Sequence, residues 1–171
     1  MLIVFGGLPG TGKTTIARTL APCLGATYLR IDSIEQGLRD AGLAQVGSAG
    51  YRIALQLAEA NLALGNRVLA DCVNPVAESR AAWQALARKL EVGLLEIEVV
   101  CSDRDQHRRR VEGRCSDVPG LAPPSWQSVL AHEYQAWDRP RLVLDTARLA
   151  PEQAVQRVLA QLPGVLLPPA R

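Results

Sequence analysis

The chain has 171 residues, 48% of them hydrophobic, with 19 Lys and Arg against 17 Asp and Glu. That supply of apolar residues suits one buried core of domain size and excludes a disordered polyelectrolyte. A formal charge of +2 is too small to call for a polyanionic partner, and no run approaches the ~20 apolar residues of a membrane span.

Leu2-Ile3-Val4-Phe5 is a short apolar run and predicts a buried strand. It has no basic segment ahead of it and is too short for a secretion signal, so a cytoplasmic chain is expected. Gly7-Leu8-Pro9-Gly10-Thr11-Gly12-Lys13-Thr14 follows at once and matches G-x-x-x-x-G-K-[ST], the phosphate-binding loop. A helix is predicted over Lys13–Leu24. In that strand–turn–helix setting, backbone amides from Gly7, Gly10, Thr11, Gly12 and Thr15 would face an anion at a helix N-terminus. Lys13 would reach the β- and γ-phosphates of ATP, and the Thr14 hydroxyl would hold Mg²⁺.

Thr27–Ile31 reads as a second strand ending at Asp32, which with Ser33 opens a helix. Gly42 to Gly50 holds three glycines and reads as a mobile connection. Tyr51–Leu64 carries a helical apolar stripe, Arg67–Val73 is a third strand and Val76–Leu90 a helix. Leu94–Val100 is a fourth strand, followed by an arginine-laden helix over Asp103–Arg114 and a Gly- and Pro-bearing loop, Cys115–Pro124. Ser125 caps a helix expected to run to Trp137. Arg141–Leu144 is a fifth strand, Pro151–Leu162 a terminal helix with proline in its first turn, and Pro163–Arg171 a proline-rich tail. Strands alternating with helices predict an α/β, three-layer fold around a five-stranded parallel sheet, in a single domain over residues 1–162.

Ligands in such sheets bind beyond the carboxyl ends of the strands, where Asp32 and Asp71 both fall. Transfer of a phosphoryl group to a hydroxyl needs a proton acceptor, and Asp32 is suited to that role. Asp71 closes a buried run, where its carboxylate would orient Mg²⁺ or touch the acceptor substrate. Tyr51, Asn74 and Arg80 are the further candidates for an acceptor pocket, Arg80 because its guanidinium could pair with a carboxylate or phosphate. Arg104, Arg108, Arg109, Arg110 and Arg114 crowd one helix. At i,i+4 spacing such charges repel unless an anion lies between them, which points to a lid, about 103–124, closing over the triphosphate. Cysteines at 23, 72, 101 and 115 lack zinc-ligand spacing and read as free thiols, Cys72 and Cys101 in strands. His107 and His132 read as structural or surface residues. Trp83, Trp126, Tyr134 and Trp137 read as packing, and aromatics at 4% leave few platforms for stacking a nucleic acid strand.

These stretches, with Arg30-to-Glu35, Ala70-to-Pro75, Arg80 with Trp83, and His107-to-Val111 with Arg114, resemble the small P-loop kinases related to chloramphenicol phosphotransferase, gluconate kinase and zeta toxins. Within that group the chain is most similar to uncharacterised bacterial members described as ATP-binding kinases. The resemblance covers about Met1 to Leu162. It implies a sheet like that of nucleoside-monophosphate kinases, ATP with Mg²⁺, and transfer of phosphate to a hydroxyl of a small molecule. It further implies Asp32 as base, with Arg110 and Arg114 as lid arginines on the nucleotide, in a monomer or homodimer. No signature of a sugar-acid or antibiotic pocket is visible, so no member's substrate carries over. Two other functions fit the same loop: a nucleotide switch acting through a protein partner, and a polynucleotide 5′-hydroxyl kinase.

Overall fold

A computed structural model describes residues 1–162; the proline-rich tail from Pro163 onward lies outside the described residues. Five strands form one sheet: β1 (Leu2–Gly6), β2 (Thr27–Arg30), β3 (Val68–Asp71), β4 (Leu94–Val100) and β5 (Leu142–Asp145). Their order is β2-β3-β1-β4-β5, and every pairing is parallel. Parallel strands need crossovers, and the crossovers put helices on both faces. That is why β1 is apolar at successive positions. Ile3 and Phe5 join the core under α1 (Lys13–Leu24) and α7 (Pro151–Leu159), while Leu2 and Val4 join the core under α3 (Ala49–Ala63) and α4 (Ala77–Lys89). Trp83 of α4 is fully buried in the second core.

Three connections complete the chain: α2 (Ile31–Asp40), α5 (Arg104–Gly113) and α6 (Trp126–Leu130). The glycine-bearing connection from Gly42 gives way to helix at Ala49, where α3 starts. Gly50 there lets Glu35 of α2 approach so closely that a Cβ would meet its Cγ at 2.5 Å. Asp103 caps α5, accepting the Gln106 amide at 2.9 Å, and Ser125 caps α6 by accepting that of Ser128 at 3.1 Å. Both caps satisfy otherwise orphaned helix donors.

Two sequence-based expectations fail locally. The helix from Ser125 ends at Leu130, seven residues short of Trp137. The backbone carbonyls of Gln135 and Ala136 turn instead to the Arg80 guanidinium, and the Gln135 amide donates to Pro75 O. Residues committed to those bonds cannot continue a helical ladder. Cys72 and Cys101 each lie one position beyond β3 and β4 rather than within them.

Candidate active site

β1 sits at the middle of the sheet, so the loop leaving its carboxyl end opens between β3 and β4. Gly7 continues the strand, its amide donating to Val73 O at 2.9 Å. Its φ of 135° and the Val99 carbonyl, which a Cβ would overlap, leave room for glycine alone. Gly10 (φ 83°) and Gly12 (φ 95°) are also left-handed, a backbone that other residues adopt at a cost. Gly12 hands the chain to α1, whose first residue is Lys13. Thr11 is buried and braces the turn, donating from Oγ1 to Leu8 O at 2.9 Å. Lys13 Nζ rests on the same carbonyl, at 2.9 Å. Burial pushes the Lys13 ammonium below its ordinary pKa, while the charges of Asp71 and Asp32 oppose that shift.

The loop floors a cleft of about 660 Å³. Gly10, Gly12, Lys13, Thr14 and Thr15 line its base, Asp32 and Asp71 one wall, and Arg110 and Arg114 the roof. Asp32 stands in the first turn of α2, because β2 ends at Arg30 rather than Ile31, and it remains 42% exposed. Asp71 is buried at the end of β3 and accepts the Tyr28 hydroxyl at 2.7 Å. Burial, with that carboxylate beside it, pushes the Tyr28 phenol well above its usual range, so Tyr28 is a fixed donor to Asp71.

The arginine-rich helix is tied to the loop rather than standing off it. Arg110 donates to Thr146 Oγ1 at 2.7 Å and Thr146 O at 3.0 Å, and Thr146 Oγ1 in turn reaches Thr11 O at 2.8 Å. His107 Nε2 lies 2.8 Å from Pro9 O, with its ring edge-on to Trp126. Arg108 instead pairs with Glu112 on the exposed side. In the loop beyond, Asp117 accepts from both terminal nitrogens of Arg30, at 2.7 and 2.9 Å, and from Arg18 at 3.0 Å. The bonds from Arg30 hold the Asp117 carboxyl down at about 2. Burial works against the Arg30 charge, but the bond to Asp117 and the charges of Asp117, Asp32 and Asp71 outweigh it and raise its pKa.

Three expected acceptor-pocket residues do not line this cleft. Arg80 is 3% exposed, and its guanidinium donates to the carbonyls of Asn74, Pro75, Gln135 and Ala136 while stacking 4.4 Å from the Trp137 ring. With four of its five donors engaged by backbone carbonyls and its side chain buried, the fork cannot pair two-pronged with a substrate carboxylate. Asn74 is fully buried, and the Tyr51 hydroxyl accepts its backbone amide at 2.8 Å. All three brace the turn after β3 from behind. Conversely, Arg18, Arg30, His107, Asp117 and Thr146 were not singled out as site residues from the sequence. His107, one turn before Arg110, and Arg18, one turn after Thr14, carried a helical-spacing cue; the others meet through the topology. Among the described residues, no group of three or more His, Cys, Asp or Glu side chains could hold a metal ion, and no helix is long and apolar enough to cross a membrane.

The fold and this loop agree with the comparisons. A family model described as an AAA domain, AAA_33, matches residues 2–122. The chain belongs to the AAA_33 family. Uncharacterized proteins of Mycobacterium bovis and Mycobacterium tuberculosis are 31% identical to it over 111 residues, 56% of this chain. The chain spans about a fifth of their length, 22%. Among solved structures, a provisionally named kinase from Chloroflexus aurantiacus superposes with a TM-score of 0.75 at 21% identity, over 96% of this chain and 97% of that one. The APS kinase of Mycobacterium tuberculosis, solved with AMPPNP and APS, gives 0.67 at 24% identity, over 92% and 94%. At these identities the likeness is one of fold, and it makes this AAA_33 domain a P-loop protein with the architecture of small kinases.

Proposed function

We propose that this AAA_33 domain is a phosphotransferase that moves the γ-phosphate of ATP to a hydroxyl of a small molecule. The observation that carries the proposal is a left-handed glycine loop with a buried lysine, placed in one cleft with an exposed carboxylate and two arginines. The loop's residues fit a triphosphate: among the described residues Lys13 has only a backbone carbonyl as partner, and Gly10 and Gly12 leave their amides free of Cβ cover, whereas the Gly7 amide, expected to face the anion, donates to Val73 O. The oxygen donors near it, the Thr14 hydroxyl and the Asp71 carboxylate, suit a hard cation such as Mg²⁺. When bound there, Mg²⁺ would neutralise phosphate charge.

The side chains divide the work. Lys13 and the loop amides bind and orient the phosphates; Tyr28 keeps Asp71 aimed into the cleft. Asp32 takes the proton of the acceptor hydroxyl as its oxygen bonds to the γ-phosphorus, the bond to the β–γ bridging oxygen breaks, and ADP leaves. Arg110 and Arg114 meet the charge that spreads over the transferring group, a contribution worth ~10³-fold or more in related chemistry. Solved structures of the same fold that are kinases by name support the same reading.

Asp32→Asn tests it. The variant should bind ATP within a few-fold of the parent, by calorimetry with Mg²⁺ present, and lose label transfer from γ-labelled ATP to the acceptor in a metabolite extract. Normal transfer in that variant removes Asp32 as base. Failure of the parent to bind ATP removes the whole reading.

A further inference from the structure

We propose that Arg30 is the residue that recognises a carboxylate on the acceptor, and that Asp117 of the domain's own loop occupies the position such a carboxylate would take. The proposal rests on the phosphotransfer reading above and narrows its substrate class to hydroxy acids.

Arg30 ends β2, the edge strand on the far side of β3 from β1 and the phosphate loop. It is 7% exposed, and its Nε has no partner among the described residues. A buried guanidinium with an unpaired donor is costly, and a buried ion pair seldom adds stability over apolar packing. Its partner is no fixed part of the sheet. Asp117 lies 87 positions away in the loop after α5, 36% exposed. Asp117 lines the cleft and Arg30 does not, so the carboxylate stands between the guanidinium and the open space.

The pairing is two-pronged: one Asp117 oxygen on each terminal nitrogen of Arg30, at 2.7 and 2.9 Å. This is how arginine takes a carboxylate. Arg18 converges on the same group at 3.0 Å and Arg114 at 4.0 Å. Asp32, the proposed base, lies 3.6 Å from the same guanidinium. A carboxylate that displaced Asp117 would therefore hold the rest of a small molecule beside the group that must take its hydroxyl proton. Displacement also releases the loop that carries Arg114, which couples acceptor entry to movement of the roof.

Removing the internal carboxylate gives a direct test. Asp117→Asn should be stabilised against heat by sodium acetate over sodium chloride at equal ionic strength, more than the parent is, and Arg30→Lys in the same background should abolish the difference. No acetate effect in Asp117→Asn overturns the carboxylate site. This arm needs no turnover, so it is independent of whether the chain is a kinase, which ATP binding and label transfer decide. In the second arm, a metabolite extract treated with phosphatase is passed over an anion exchanger. Acceptor activity should be in the retained fraction, and Arg30→Lys should raise its KM by about 10- to 100-fold with a smaller change in kcat, as expected for a charge-assisted bond. Acceptor activity in the flow-through, or destroyed by phosphatase, overturns the assignment of a carboxylate.

Discussion

Gly10 shows how narrowly the loop is cut. It is left-handed, and a Cβ there would run into Val111 Cγ2, with His107 Cδ2 3.3 Å away. Gly10→Ala combines a left-handed penalty of about 1–2 kcal/mol with overpacking of about 1–3 kcal/mol. It should lower the unfolding free energy in denaturant titration by an amount in that range and weaken ATP binding in the same preparation. The motif spacing picked out Gly10, Lys13 and Thr14 because such a loop is built from residues adjacent in sequence, and the structure places all three at the base of one cleft. The residues that clamp the loop were not so marked. His107 and Thr146 reach the loop across 98 and 135 positions, and no local pattern encodes an encounter of that kind.

At the scale of elements, the strands and most helices were readable because a parallel sheet buried on both faces writes continuous apolar runs. The segment from His132 to Arg141 was not, and Arg80 is the reason: a buried cation on α4 gathers backbone carbonyls from a stretch whose composition alone reads as helical. Arg80 itself read as a ligand-binding group because a sequence does not reveal whether a guanidinium is already occupied. Arg80→Met should leave those carbonyls unpaired and destabilise the fold by about 3–5 kcal/mol, measured by chemical denaturation. ATP affinity of the fraction still folded should change little. The loop after α5 has its own signature. Asp117 has a carboxyl held at about 2, below the ordinary 3.8, so its pairing contributes stability fully above pH ~4 and loses it as pH falls toward 2. The melting temperature of the parent should exceed that of Asp117→Asn above pH 4, and the gap should close on acidification. A gap unchanged at pH 2.5 would contradict the pairing.

Across the whole molecule, the four thiols report on which regions are closed. Cys72 lies buried at the end of β3, donating to Phe5 O at 3.1 Å, and burial pushes its thiol well above the usual range. Cys23 and Cys115 are exposed. A thiol reagent at neutral pH should therefore modify Cys23 and Cys115 promptly and reach Cys72 only on unfolding, which mass spectrometry of a time course would read site by site. The depths of these thiols follow from sheet order, which puts β3 beside the central strand.

The resting contact of Lys13 with the Leu8 carbonyl has a kinetic implication. A left-handed turn whose lysine is seated on one of its own carbonyls does not need to refold around an anion. The lysine exchanges one oxygen for another, and the turn stays wound throughout. On the proposed function, nucleotide capture then needs no ordering step at the glycine loop.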